Sequence, residues 1–212
     1  MAAIENIIFD FGGVFLDIDY SRTRKAFENL GIVHFEEMYS QADAGKLFQK
    51  LEKGDISVEQ FYLELNSTTG LNLSTREIDL AWNAMLLQYR ESSIEYLEKL
   101  SQRYELYLFS NTNFIHMNAF RKLFREEHDG ASFDDYFTRT FYSCEMGMRK
   151  PDAESFQFIL DELKIDAKKT LFIDDSIQNI NAAKEVGLEV IYLAGGAKIE
   201  DLGLLKMTGT EK

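Results

Sequence analysis

The chain has 212 residues, 45% of them hydrophobic and only one a proline, so it can bury a sizeable core as one domain or as a core with a modest insertion. Its formal net charge of −13 disfavours nonspecific binding to nucleic acid or anionic membrane surfaces, and no stretch approaches the ~20 apolar residues of a membrane span. The single cysteine, Cys144, excludes an internal disulfide and suits a reducing compartment. The start MAAIENIIFDFGG lacks a basic signal-peptide region, so a cytoplasmic location is expected.

In chain order, IENIIF at 4–9 is an apolar run long enough for a buried strand, broken by Gly12-Gly13. Ser21 opens a helical stretch that stops near Gly31, and KLFQKLEK is a second helical stretch ending at Gly54. Ser57 with Gln60 and Ser74 with Glu77 have the spacing of capping boxes and open the amphipathic runs VEQFYLELN and REIDLAWNAMLL. No comparable strand signal interrupts 21–88, which predicts a helical insert. From residue 92 the pattern alternates. SIEYLEKLSQ reads as helix, YELYLF as strand, NFIHMNAFRKLF as helix and RTFYS as strand. DAESFQFILDEL reads as helix with Pro151 near its first turn, TLFID as strand, IQNINAAKEV as helix stopped by Gly187, and EVIYLA as strand. Such alternation predicts an α/β fold, a parallel sheet flanked by helices.

Four polar clusters interrupt or end these runs: Asp10 in IIFDFGGVF, Ser110-Asn111 in LYLFSNTN, Lys150 in GMRKP and Asp174-Asp175 in LFIDDS. In an open α/β sheet the crevice lies at the C-terminal strand ends, so distant segments can assemble one site there. A carboxylate such as Asp10 can act as nucleophile and can hold a hard cation, and the glycines after it let backbone approach a ligand. Ser110 and Asn111 are also ordinary helix caps; as a site they would receive phosphate oxygens through a hydroxyl and backbone N–H groups. Lys150, otherwise a solvated lysine, would neutralise a phosphoryl oxygen and the nucleophile, while Arg149 reads as a surface charge. Two adjacent carboxylates repel, at a cost in stability unless a cation or lysine lies nearby. His34, His116 and His128 show no ligand spacing, Trp82 and the Phe-rich helices read as core, and Cys144 lacks an activating neighbour.

In this order the four clusters resemble the motifs of the haloacid dehalogenase-like hydrolase superfamily, and the resemblance spans nearly the whole chain. DFGGVFLDIDY, LFSNTN, GMRKP and FIDDSIQNI, with EKGDIS between the first two, are similar to a bacterial sugar-phosphatase subgroup that includes an α-glucose-1-phosphatase. The resemblance implies a Rossmann-like catalytic core of residues 1–17 and 89–212, with residues 18–88 a small helical type-1 cap. It implies Asp10 as nucleophile, Ser110, Asn111 and Lys150 as phosphate-binding residues, and Mg²⁺ held by Asp10, the Gly12 carbonyl and Asp175, with Asp174 behind. The substrate class implied is a small phosphorylated metabolite such as a sugar phosphate.

One position departs from the superfamily pattern. Gly12 stands where most of its phosphatases carry a proton-donating aspartate, as it does in the similar subgroup. That leaves Asp17, Asp19 or a metal-held water as candidate proton sources. Two other activities fit parts of the pattern: a metal-free 2-haloacid dehalogenase, for which the Asp174-Asp175 pair is a cost without a purpose, and a catalytically silent phosphate-binding protein, supported only by Gly12.

Overall fold

The computed structural model describes residues 3–33, 35 and 44–206. His34 lies outside the described residues, as does part of the stretch between the first two helices. Five strands form a parallel sheet in the order β5-β4-β1-β6-β7. They are β1 (Asn6–Phe9), β4 (Glu105–Ser110), β5 (Arg139–Tyr142), β6 (Thr170–Asp174) and β7 (Glu189–Tyr192). Two further strands, β2 (Leu16–Ile18) and β3 (Leu86–Tyr89), pair antiparallel outside that sheet.

Side chains alternate across the sheet, as the two-residue period of a strand requires. Ile7, Phe9, Leu106, Leu108, Leu171 and Ile173 join one apolar cluster. It is covered by Ile94, Leu97 and Leu100 of α5 (Glu91–Leu100) and by Met117, Phe120 and Phe124 of α6 (Phe114–Glu127). Ile8, Tyr107, Phe109 and Phe172 point the other way. They meet Phe156 and Ile159 of α8 (Ala153–Leu163) and Ile180 and Ala183 of α9 (Ile177–Glu185). A short helix, α7 (Ser143–Met146), follows β5 directly.

Between β2 and β3 lie α1 (Tyr20–Asn29), α2 (Ala44–Glu52), α3 (Val58–Thr69) and α4 (Thr75–Asn83). They enclose a separate core that includes Phe27, Phe48, Leu51, Phe61, Leu65 and Trp82, with Ile115 reaching in from α6. Both capping boxes close: Ser57 exchanges hydrogen bonds with Gln60, and Ser74 with Glu77. The cap of α1 is Asp19 rather than Ser21, because the Asp19 carboxylate accepts from the Ser21 amide and the helix starts one residue earlier. The run ending in MLL is not all helix: α4 stops at Asn83, and Leu86 and Leu87 enter β3 to pair with the chain after Gly13. Pro151 falls outside the first turn of α8, which begins at Ala153 with Asp152 at its cap position. Among the described residues no helix is long and apolar enough to cross a membrane.

Candidate active site

The register of the sheet assembles the site. Phe9 pairs with Leu108 on one side and with Ile173 on the other, so Asp10, one step further along, comes level with Phe109 and Asp174. The Asp10 amide continues the ladder by donating to the Ile173 carbonyl at 2.9 Å. Lys150 arrives from the turn before α8 and fills the space between these strand ends. Its Nζ donates to Asp10 Oδ1 at 2.5 Å, to Asp174 Oδ2 at 2.8 Å and to the Phe109 carbonyl at 2.8 Å. The lysine is 1% exposed, and its ammonium lies over the Phe109 and Phe172 rings.

Burial works against the lysine charge, but Asp10 and Asp174 outweigh it, and the Lys150 pKa stands above the ordinary value. The Asp10 carboxyl is pushed up to about 7, first by burial; Lys150 opposes this, while Asp174 and Asp175 add to it. Asp175 is raised as well, by burial and then by Asp174. Carboxylate oxygens of Asp10, Asp174 and Asp175 all lie within 4.8 Å of one another. A hard divalent cation suits such crowding, because it favours the ionised forms that burial and mutual repulsion resist.

The two members of the carboxylate pair differ. Asp174 is fully buried. Its oxygens accept from Lys150, from the Ser176 amide at 2.7 Å and from Asn179 Nδ2 at 2.9 Å. Ser176 holds the cap position of α9 without a side-chain bond of its own. Asp175 instead lines the cavity, its carboxylate packed against Gly13. Gly13 has φ +73°, and a Cβ there would overlap Asp175 Oδ2, so this glycine is required twice over. Gly12 lacks a left-handed φ; its constraint is Ile18, whose Cδ1 would stand 2.5 Å from an added Cβ.

Ser110 ends β4, and Asn111 follows it. The Asn111 amide group and the Lys150 backbone exchange two hydrogen bonds, Nδ2 to the carbonyl at 2.8 Å and N–H to Oδ1 at 2.9 Å. Ser143 Oγ does the same for Thr112, accepting from its amide and donating to its carbonyl, both at 2.9 Å. The cap of α6 is Asn113, three residues beyond Ser110, so Ser110 and Asn111 are spared capping duty. Ser110, Asn111, Lys150, Asp10, Gly12 and Asp175 all border one cavity of about 350 Å³.

The far wall of that cavity comes mainly from the helical unit: Ile18, Tyr20, Glu52, Trp82, Met85 and Leu86. His116 joins it, buried and stacked on Trp82 with ring centroids 4.8 Å apart. Burial drives the His116 pKa down to about 3, so the imidazole is neutral, with Nδ1 2.8 Å from Asn83 Oδ1. Two expected proton sources are placed elsewhere. Asp17 is ion-paired with Arg90 at 2.7 Å, Asp19 caps α1, and neither lines this cavity. Arg149 is not a free surface charge: its Nη1 lies 3.1 Å from Glu52 Oε2.

Sequence reasoning passed over Asn179 and Glu52, and it read His116 as without ligand spacing and Arg149 as a surface charge rather than as cavity residues. Asn179 could have been found from its place on the first turn of the helix that follows Asp174-Asp175.

A family model described as haloacid dehalogenase-like hydrolase matches residues 4–187. The chain is 33% identical over 195 residues to a D-ribitol-5-phosphate phosphatase of Bacteroides thetaiotaomicron, covering 92% of this chain and 94% of that one. A sesquiterpene phosphatase of Aspergillus oryzae is 27% identical over 188 residues, covering 88% of each chain. Among solved structures, a HAD family enzyme from Bacteroides thetaiotaomicron in complex with magnesium and inorganic phosphate superposes with a TM-score of 0.87 at 34% identity, covering 94% of this chain and 99% of that one. The ordered motifs, the parallel sheet that gathers them and these likenesses agree: the chain belongs to the haloacid dehalogenase-like hydrolase family.

Proposed function

We propose that the chain is a Mg²⁺-dependent phosphomonoesterase acting on a small phosphorylated metabolite of the sugar-phosphate class through an aspartyl-phosphate on Asp10. The observation that carries this reading is the Lys150 ammonium held between Asp10 and Asp174 beside the third carboxylate, Asp175. An anion is drawn to this otherwise acidic site by a fixed ammonium and a bound cation. The phosphatase activity named for the Bacteroides relative, and the magnesium and phosphate in the solved neighbour, support the same chemistry.

In this scheme Asp10 attacks phosphorus in line, the ester P–O bond breaks, and the leaving oxygen takes a proton from water, since neither Asp17 nor Asp19 lines the cavity. Water then attacks the acyl-phosphate, releasing inorganic phosphate and restoring Asp10. The Ser110 hydroxyl and the Asn111 N–H receive the phosphoryl oxygens, and Lys150 receives one by turning toward it the N–H that it otherwise gives Asp10. Asp10, Asp175 and the Gly12 carbonyl would hold Mg²⁺, which when bound neutralises charge on the phosphoryl group and aligns it. Asp174 keeps Lys150 and the start of α9 in place.

Residues 18–88 act as the cap over a catalytic core of 1–17 and 89–212, a division supported by the separate apolar cluster of the helical unit. We place the chain in the cytoplasm, where a single buried cysteine, Cys144, needs no disulfide partner. Phosphate release from ribitol 5-phosphate and p-nitrophenyl phosphate, with Mg²⁺ or with EDTA, tests the reading. Turnover that needs Mg²⁺ is expected; undiminished turnover in EDTA, or halide release from a 2-haloacid under those conditions, overturns it.

A further inference from the structure

Arg149 joins the helical unit to two of the residues given phosphate-binding roles above. It stands in the GMRKP turn, directly before Lys150. Its Nη1 lies 3.1 Å from Oε2 of Glu52, the last residue of α2. Its Nε donates to the Lys150 carbonyl at 3.2 Å. That carbonyl also accepts from Asn111 Nδ2 at 2.8 Å, while the Lys150 amide donates to Asn111 Oδ1 at 2.9 Å. A continuous line of polar contacts thus runs from α2 through Arg149 and the Lys150 backbone to Asn111.

The two ends of Lys150 are held separately. Nζ is anchored by Asp10, Asp174 and the Phe109 carbonyl. The backbone end is held by Asn111 and Arg149. Burial raises the Glu52 pKa, and Arg149 opposes that rise. A guanidinium suits this place, because its rigid fork points one N–H at Glu52 and another at the carbonyl. A lysine ammonium at the same position is a single point of charge and does not reproduce both directions.

We propose that Arg149 is a positioning residue: braced by Glu52, it fixes the Lys150 carbonyl and through it the Asn111 side chain, so that phosphate affinity depends on the seating of the helical unit. This rests on the phosphatase reading above, which gives Asn111 and Lys150 their roles, and it adds the contact from outside the sheet that keeps them in place. The Asn111 side chain is clamped on the Lys150 backbone, and that clamp orients the Asn111 N–H toward a phosphoryl oxygen. Loosening Arg149 frees the turn and Asn111 together, while Nζ keeps its own anchors. The loss therefore falls on phosphate binding in the ground and transition states alike, which raises KM and leaves kcat little changed.

The experiment measures inorganic phosphate binding by calorimetry, and steady-state kinetics on ribitol 5-phosphate and p-nitrophenyl phosphate, all with Mg²⁺, for wild type, Arg149→Gln, Arg149→Lys and Glu52→Gln. A hydrogen bond from a charged group is worth roughly tenfold or more in affinity, so both Arg149 variants should raise the phosphate Kd about tenfold. KM on the two substrates should rise by the same factor. Glu52→Gln keeps an acceptor for Nη1 and should raise Kd and KM by less. A fall in kcat at unchanged Kd and KM, which is what a merely structural role produces, overturns the proposal. So does wild-type phosphate affinity in Arg149→Lys, or a loss confined to one substrate. If Arg149→Gln fails to fold, the double variant Glu52→Gln with Arg149→Gln, which leaves no charge unpaired, must show the same rise in Kd or the proposal falls. A wild type that binds phosphate but turns over neither substrate overturns the phosphatase reading, and the Kd comparison then still decides the role of Arg149. A wild type that does neither overturns both.

Discussion

The sheet and the helical unit position their side chains by different means. In the sheet, Asp10 and Asp174 sit at the ends of adjacent parallel strands, and backbone pairing sets their distance before any side chain is chosen. One lysine then closes the arrangement with three hydrogen bonds. In the helical unit, Glu52 and Trp82 project from separate helices whose orientation depends on packing around Phe27, Phe48, Phe61 and Leu65. The first arrangement is stiff and suits bond making at one fixed phosphorus. The second can be repacked without disturbing Asp10, which suits a wall facing the leaving group.

The sharpest break in that comparison is Asp10→Asn. It keeps the shape of the strand end but removes the carboxylate proposed as nucleophile and one charge proposed to face Mg²⁺. Activity on every substrate should fall at least ~10³-fold with the fold intact. Phosphate release, with circular dichroism as the folding control, measures this. Turnover close to wild type would take Asp10 out of the mechanism.

Leu65→Ala probes the other side. Leu65 is fully buried among the helical unit's aromatic rings, and Leu→Ala in such a place costs about 3 kcal/mol. The single tryptophan, Trp82, lies in that same cluster, so its fluorescence reports the helical unit. The Trp82 transition should move to lower temperature ahead of the circular dichroism transition, to which α5–α9 contribute strongly. Coincident transitions would mean that the two cores unfold as one.

Most of the sheet, and the grouping of the candidate site residues at its strand ends, were legible because their signals are local. Asp10, Ser110 and Asp174 each end or follow a continuous apolar run, and Lys150 precedes a helix with a clear apolar face. The exceptions have physical reasons. Leu86–Tyr89 is a short strand continuous with an amphipathic helical pattern, so periodicity could not mark the change at Asn83. Ser21 and Asp19 are both good caps two residues apart, and the carboxylate takes the position. Glu52, His116 and Arg149 were missed as wall residues because a helical pattern shows which residues share a face, not what that face meets. The departure at Gly12 leaves Asp17, Asp19 or a metal-held water as proton sources; the partners that hold the two aspartates away from the cavity, Arg90 and the start of α1, lie far along the chain or in the backbone.

Metal dependence on pH sharpens the account of the sheet side. In the metal-free protein the Asp10 pKa stands at about 7 against 3.8 ordinarily, so between these values the folded protein keeps a proton that the unfolded chain releases. The Asp10 contribution to metal-free stability therefore falls as pH rises from about 4 to about 7 and levels off above. Mg²⁺ must displace that proton, so its affinity should drop up to about tenfold per unit as pH falls below 7. Thermal melts with and without saturating Mg²⁺ should show a larger gain at pH 8 than at pH 5.5. Equal gains would mean that Asp10 is already ionised in the metal-free protein.

The mildest test separates the stability of the helical unit from the placement of Glu52. Ser57 caps α3 through its hydroxyl, which accepts from the Gln60 amide at 3.2 Å, and its own amide donates to Gln60 Oε1 at 2.9 Å. Ser57→Ala removes the first of these bonds at a solvent-exposed end, for about 1 kcal/mol. α3 carries Phe61 and Leu65, so the Trp82 transition should fall by roughly 4–8 °C if the helical unit melts by itself. Glu52 lies on the other side of the turn, where Gly54 passes close to the Cys144 carbonyl and Arg149 Nη1 lies 3.1 Å from Glu52 Oε2. The KM for ribitol 5-phosphate should accordingly stay at its wild-type value while the melting point drops. Ser57→Gly, which a cap position tolerates at a few tenths of a kcal/mol, should lose less stability than alanine. A KM that rises in step with the loss of stability would show that the cap of α3 holds Glu52 over the cavity.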